Sequence, residues 1–169
     1  MWCAALTSCA RSVRKTRRQG RSTGAMTMTT HILRASLKPR LYRDIEIDSK
    51  ASLYALAEPI NAFKFDFVHA FGFFSRLTGR VFDSPVRYEL FADSDAEGGS
   101  QSIKRTTVAR AFPRVGRKML FLFDYYGDEW RFLIEVVGHN ETAPEKLFPR
   151  VIASVGKAPQ QYPLPDDED

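Results

Sequence analysis

The side chains best suited to metal chemistry in this sequence are three carboxylates near a predicted turn: Asp124, Asp128 and Glu129. Hard divalent cations bind several carboxylate oxygens, and a tight turn would bring Asp128 and Glu129 close together. A solvated turn, in which an aspartate side chain accepts hydrogen bonds from its own backbone, explains the same residues without a ligand. We favour the solvated turn and predict neither a metal site nor another cofactor.

His69 is the second candidate for chemistry, because imidazole titrates near neutral pH and can act as a general base. It follows Asp66 by three residues within the aromatic run FDFVHAFGFF at 65–74. A regular strand would place these two side chains on opposite faces, which disfavours a catalytic dyad. We favour a buried histidine that hydrogen-bonds to backbone. The remaining histidines, His31 and His139, are predicted to lie at the surface.

Aromatic side chains on the predicted hairpin are candidates for binding. Tyr125, Tyr126 and Trp130 lie around its turn, and exposed tyrosine and tryptophan side chains often anchor interfaces. Trp130 has a second interpretation as a core residue that packs beneath the sheet. We favour the core for Trp130 and leave binding open for the two tyrosines.

A basic run in the second half of the chain is the best candidate for binding phosphate groups. Its members, with no acid among them, are Lys104, Arg105, Arg110, Arg114, Arg117 and Lys118. Such a run attracts phosphates, but Phe112 is its single aromatic residue, so no stacking platform for bases is evident. We favour a solvated helix face, paired with the loop acids Asp93, Asp95 and Glu97.

The net charge of +5, from 25 basic and 20 acidic residues, is concentrated at the N-terminus. Residues 1–25 contain six of the basic residues and no acid, so the rest of the chain has 19 basic and 20 acidic residues. A body so close to neutrality lacks the general attraction for phosphates that drives nonspecific nucleic-acid binding. We therefore predict a protein or small ligand as the partner, in preference to nucleic acid.

The length of 169 residues predicts one domain with an unstructured segment at each end. Residues 1–27 form a basic leader that we expect to be disordered, and translation starting at Met26 or Met28 would remove most of it. Its arginine-rich, acid-free composition also suits a transit peptide, which we favour less. Residues 28–165 form the predicted domain, and 166–169 form an acidic tail.

Cysteine usage and hydropathy bear on location. Both cysteines, Cys3 and Cys9, lie in the leader, so the body has no cysteine-based site. No apolar run approaches the ~18 residues of a membrane-spanning helix. We expect a cytoplasmic protein that does not enter the membrane.

Hydrophobic periodicity predicts one α+β domain with an antiparallel sheet, a prominent C-terminal hairpin and two or three packed helices. The predicted strands are 30–37, 41–47, 65–74, 86–91, 118–124 and 130–137, and the predicted helices are 53–63, interrupted by Pro59, and one from Thr106 or Thr107 to Phe112. Gly127 is expected to supply the special backbone angle of the hairpin turn. Beyond Gly138 the chain is expected to be irregular.

Three segments carry a family resemblance: FDYYGDEWRFLIEV at 123–136, LYRDIEI at 41–47 and FPRVIASVGKAPQQYP at 148–163. Together they resemble the plasmid pRiA4b ORF-3-like family, and the most specific piece is the core of the hairpin at 126–130. The resemblance implies an α+β fold with an antiparallel sheet and helices, in bacterial or archaeal proteins encoded partly on mobile elements. It implies no activity, because none is established for the family.

The sequence departs from this family pattern at the hairpin. Family members usually have one aromatic residue between the aspartate and the glycine, whereas Tyr125 and Tyr126 both separate Asp124 from Gly127. In a strand, one extra residue reverses the face of a side chain, so we expect no shared role for Asp124.

The function that these residues favour is a non-catalytic binding or adaptor module. The sequence contains no His-x-x-x-His, no Gly-x-Ser-x-Gly and no glycine-rich phosphate loop. The alternative is a metal-assisted hydrolase or nuclease that uses Asp124, Asp128, Glu129 and His69.

Overall fold

The computed structural model describes residues 28–60, 63, 69–94, 98–142 and 147–161. The predicted leader, the acidic tail and Asp66 lie outside the described residues. The predicted domain boundaries therefore stay predictions.

Within the described residues, eight strands form one sheet and two short helices accompany it. In chain order the elements are β1 (Met28–Lys38), β2 (Leu41–Asp48), α1 (Leu53–Ile60), β3 (Phe71–Phe74), β4 (Arg87–Glu89), β5 (Gln101–Ser102), α2 (Val108–Ala111), β6 (Lys118–Phe123), β7 (Trp130–Thr142) and β8 (Arg150–Val155). The strand order is β5-β4-β3-β6-β7-β1-β2-β8. Neighbouring strands are antiparallel except β4 and β5, which are parallel.

The predicted α+β class is wrong, because the described fold is dominated by a single mixed sheet. Helix α1 has eight residues and α2 has four. Pro59 lies in the last turn of α1, where its missing N–H removes one backbone hydrogen bond of the helix. None of the described helices is long and apolar enough to span a membrane.

The chain beyond Gly138 also differs from its predicted irregular structure. Strand β7 continues to Thr142, and β8 pairs with β2 at the edge of the sheet. Side chains on both faces of β8 are largely exposed, so backbone hydrogen bonds to β2 define this strand more than burial does. The extra strand adds to the excess of strand over helix that distinguishes this fold from a balanced α+β fold.

The main core lies against the face of the sheet that α1 covers. Leu33 and Ala35 of β1 are fully buried, as their alternation predicts. They belong to one cluster with Leu56 of α1, Phe121 of β6 and Phe132 of β7. Burial of these large apolar side chains is the main source of stability.

A smaller apolar cluster lies on the opposite face of β6. Leu120 and Leu122 alternate with residues of the main core and therefore point the other way. They pack with Phe74 and with Val81, which begins a 3-10 turn at Val81–Asp83 between β3 and β4. Tyr125 packs against this second cluster, so the cluster positions the start of the hairpin turn.

Candidate functional site

The turn between β6 and β7 is built around Asp124. Its backbone N–H donates to the Ala70 carbonyl at 2.9 Å, and its carbonyl accepts from the N–H groups of Gly127 and Glu129 at 3.3 and 3.2 Å. Asp124 and Glu129 have positive φ values of 59° and 48°, so the prediction that Gly127 supplies this angle is wrong. A Cβ at Gly127 would instead lie 2.3 Å from Asp124 Oδ2. Glycine is needed there to leave room for the carboxylate.

The structure pairs His69 with Asp124. His69 Nδ1 lies 3.4 Å from Asp124 Oδ1, because the backbone of Asp124 is hydrogen-bonded to Ala70, the next residue after the histidine. Asp124 is buried, whereas the His69 side chain is 30% exposed. The His69 ring also contacts Phe123 edge-on, with 5.8 Å between ring centroids. A carboxylate at this position can orient an imidazole for proton transfer.

The other two carboxylates of the predicted cluster do not complete a metal site. Asp128 and Glu129 are exposed, and Glu129 Oε2 accepts a hydrogen bond from Arg131 Nη2 at 2.9 Å. Across the described part of the chain, no three histidine, cysteine or carboxylate side chains form a group that could hold a metal ion. Of the four side chains in the hydrolase or nuclease alternative, the structure thus pairs His69 with Asp124 and leaves Asp128 and Glu129 exposed.

The two tyrosines of the turn have opposite environments. The Tyr125 ring packs edge-on against Phe82 and Phe74, with 5.3 and 6.0 Å between ring centroids. Its hydroxyl is buried and has no hydrogen-bond partner within the described residues. Burial raises the pKa of Tyr125 far above its ordinary value, and the negative charge of Glu89 adds to the shift. Tyr126, in contrast, is 93% exposed.

Gly72 of β3 provides the space that Tyr125 occupies. A Cβ at this position would lie 2.3 Å from Tyr125 Oη and 2.7 Å from the Tyr88 carbonyl oxygen. The missing side chain therefore allows the tyrosine to lie close against the strand.

A pocket of about 350 Å³ opens beside the two tyrosines. Its described walls are aromatic, small and apolar side chains with one carboxylate: Ala70, Phe82, Glu89, Leu90, Phe91, Ala92, Ser100, Tyr125 and Tyr126. Phe82 is 42% exposed and Phe91 is 61% exposed. The pocket can therefore bury part of a small apolar molecule or side chain against several rings.

Comparison with known families assigns the chain to a protein family. The model of the family described as Plasmid pRiA4b ORF-3-like protein matches residues 27–162. This chain belongs to that family. The prediction made from the three segments is confirmed, whereas the association with mobile elements stays a prediction. No protein with a curated description matches the sequence.

A solved structure with a similar fold is that of the protein of unknown function MM3350 from Methanosarcina mazei Go1. The TM-score is 0.61 at 16% sequence identity, and the match covers 77% of this chain and 71% of that chain. At this level of identity the likeness shows the fold and assigns no activity.

Two further predicted site features, Trp130 and the basic run, contact other parts of this pRiA4b ORF-3-like chain. Trp130 is half-buried, begins β7 and packs against the main core. In the basic run, Arg105 pairs with Asp93, and Lys118 Nζ lies 3.4 Å from Glu135 Oε2. The other two predicted loop acids lie outside the described residues.

Sequence reasoning missed a buried histidine. His31 is 4% exposed, so its predicted surface position is wrong. Its Nε2–H donates to the Phe112 carbonyl at 2.9 Å, and its Nδ1 accepts from the Ser49 hydroxyl at 2.8 Å. Burial lowers the pKa of His31, and His139 adds to this shift although the Phe112 carbonyl opposes it. The alternation of β1 could have predicted this burial, since it places His31 on the same face as the buried Leu33.

A buried carboxylate, Glu46, joins four strands. It is 2% exposed, and its Oε1 accepts from Thr30 Oγ1 at 2.9 Å and from Asn140 Nδ2 at 3.2 Å. Its Oε2 accepts from Arg150 Nε at 2.9 Å. Burial disfavours the charge, but these hydrogen bonds outweigh it and lower the pKa of Glu46. Since both oxygens have protein partners, Glu46 is structural.

Proposed function

We propose that this pRiA4b ORF-3-like protein is a binding module whose site is the aromatic pocket beside the hairpin turn. The observation that supports it is the pocket itself, in which Tyr126 and Phe91 expose most of their surface. Ligand pockets commonly have volumes of ~300–1,000 Å³, with mostly apolar walls and few polar groups. The proposal keeps the predicted cytoplasmic location and the preference for a protein or small ligand over nucleic acid.

The packing of the inner wall supports binding rather than incidental exposure. Tyr125 is fixed by two edge-on ring contacts and by the close approach of Gly72. A wall that is ordered before the ligand arrives lowers the entropy cost of binding. Exposed rings on such a wall are the kind of surface that ligands or partner side chains cover.

The test is a fragment screen by NMR, using chemical shifts of the backbone amides. We expect ligands to move the amides of Ala70, Leu90 and Tyr126, since these residues line the pocket. Tyr126→Ala should weaken the binding of these ligands without loss of the fold, because the side chain is 93% exposed.

Leu147→Ala is the matched control, because Leu147 is 90% exposed and lines a different pocket. It should leave binding unchanged. A screen without ligands, or with ligands that bind equally well to the Tyr126→Ala protein, would contradict the proposal.

A further inference from the structure

We infer that the aromatic pocket binds an organic cation through a substituted ammonium group, an inference that rests on the proposed function. Its walls combine several aromatic rings with one carboxylate, Glu89. Both features attract positive charge, and none of the described lining residues is basic. The chemistry of the walls therefore favours a cation over a neutral or anionic ligand.

The rings are arranged as adjoining walls. The planes of Phe82 and Tyr125 meet at 84°, with 5.3 Å between ring centroids. Tyr125 and Tyr126 meet at 64°, with 6.3 Å between centroids. Rings that contact each other at such angles form a corner, so a group in the pocket can lie against more than one of them. Aromatic faces carry negative partial charge, so a substituted ammonium group gains cation–π attraction as well as apolar contact there.

Glu89 adds a full negative charge to these walls, and Arg87 reduces it. Arg87 Nε lies 3.4 Å from Glu89 Oε1, and the guanidinium also donates to the carbonyls of Phe82 and Gly98. Arg87 is thus held by three protein groups and does not line the pocket. Because part of the carboxylate charge is neutralised, the ring faces must supply much of the selectivity for a cation.

The experiment compares choline with its neutral isostere, in which a tert-butyl group replaces the trimethylammonium group. The two molecules have nearly the same shape, so the difference in their dissociation constants measures the effect of charge. We expect choline to bind about tenfold more tightly, the ratio that corresponds to cation–π attraction in a partly desolvated site. Titration is followed by the shifts of the Ala70 and Tyr126 amides in the full chain.

Variants of Tyr126 separate cation–π attraction from simple apolar contact. Tyr126→Phe keeps the aromatic face and should keep the preference for choline. Tyr126→Leu keeps an apolar side chain without that face and should reduce the preference several-fold. Because this side chain is 93% exposed, neither variant should disturb the fold. Glu89→Gln should also reduce the preference, since it removes the carboxylate charge.

The outcomes distinguish this inference from the proposed function. Equal binding of choline and its isostere would overturn the cation inference and leave a binding pocket. Binding of neither, together with an empty fragment screen, would overturn both. A capped trimethyl-lysine peptide identifies the source of the cation: tighter binding of the peptide indicates a modified protein, and tighter binding of choline indicates a free small molecule.

Discussion

Removal of the Tyr125 hydroxyl should stabilise the protein, although most substitutions of partly buried tyrosines destabilise. The hydroxyl is buried and has no partner in the described part of the chain. A buried polar group without a hydrogen bond costs ~1–3 kcal/mol of desolvation, whereas loss of a satisfied hydrogen bond costs ~0.5–1.5 kcal/mol. The two situations therefore predict opposite signs for Tyr125→Phe. We expect the free energy of unfolding to rise by about 1 kcal/mol, allowing for relaxation around the hydroxyl.

The assay is urea denaturation at neutral pH, followed by circular dichroism, with a thermal melt as a second measurement. A gain of about 1 kcal/mol corresponds to a rise of ~3 °C in Tm for a domain of this size. Tyr126→Phe is the matched control, because its hydroxyl is on a side chain that is 93% exposed. It should change the free energy of unfolding by less than ~0.5 kcal/mol.

A double-mutant cycle sharpens this prediction. Gly72→Ala should destabilise, because its Cβ would lie 2.3 Å from Tyr125 Oη. It should destabilise less in the Tyr125→Phe background, although the contact with the Tyr88 carbonyl remains. If Tyr125→Phe lowered the free energy of unfolding by more than ~0.5 kcal/mol, the hydroxyl would have a partner in solution and our reasoning would be refuted.

Three other predictions concern buried and basic groups. Because the pKa of His31 is lowered, folding favours its neutral form, so its contribution is complete above about pH 6.5 and falls by at most ~1.4 kcal/mol per pH unit below it. Urea midpoints between about pH 7 and 5.5 should show this slope, and His31→Phe should remove it. Glu46→Gln should lower the free energy of unfolding by ~1–2 kcal/mol in urea titrations. This loss is smaller than the loss for a fully buried ion pair, because the Arg150 side chain is 44% exposed and can be solvated. Removal of residues 1–25 should abolish nonspecific binding to duplex DNA in a salt titration, because these residues hold the excess of positive charge. Residual binding would contradict our view of the leader, and residual binding that Arg110→Ala weakens would also contradict our view of the basic run as a solvated helix face.

The sequence predicts those strands in which apolar and polar side chains alternate. Apolar side chains recur at Leu33, Ala35 and Leu37 in β1 and at Leu41, Ile45 and Ile47 in β2, and the structure confirms both strands. Thr107 is likewise confirmed as a helix cap, since its Oγ1 accepts from Arg110 N at 3.3 Å. Strand β8 has no comparable pattern, because its side chains are largely exposed on both faces. It forms through backbone pairing with β2, which composition and periodicity do not report.

The site was less predictable because distant segments build it. His69 and Asp124 meet through the pairing of β3 with β6. They are far apart in the sequence, so local spacing does not show that they are neighbours. The pocket likewise combines residues near 70, 82, 90, 100 and 125. Residue type marks His69, Asp124 and the two tyrosines as separate candidates, but it does not indicate which of them lie together.

The departure from the family pattern at the hairpin has a physical interpretation. The sequence predicts that one additional aromatic residue reverses the face of Asp124, but Asp124 lies beyond the end of β6 in left-handed backbone and faces His69. The two tyrosines have different roles in this turn. Tyr125 packs inward on the second cluster and forms a fixed wall, while Tyr126 is left exposed at the same pocket. Since both tyrosines line the pocket, a change in the length of this turn would alter the pocket directly.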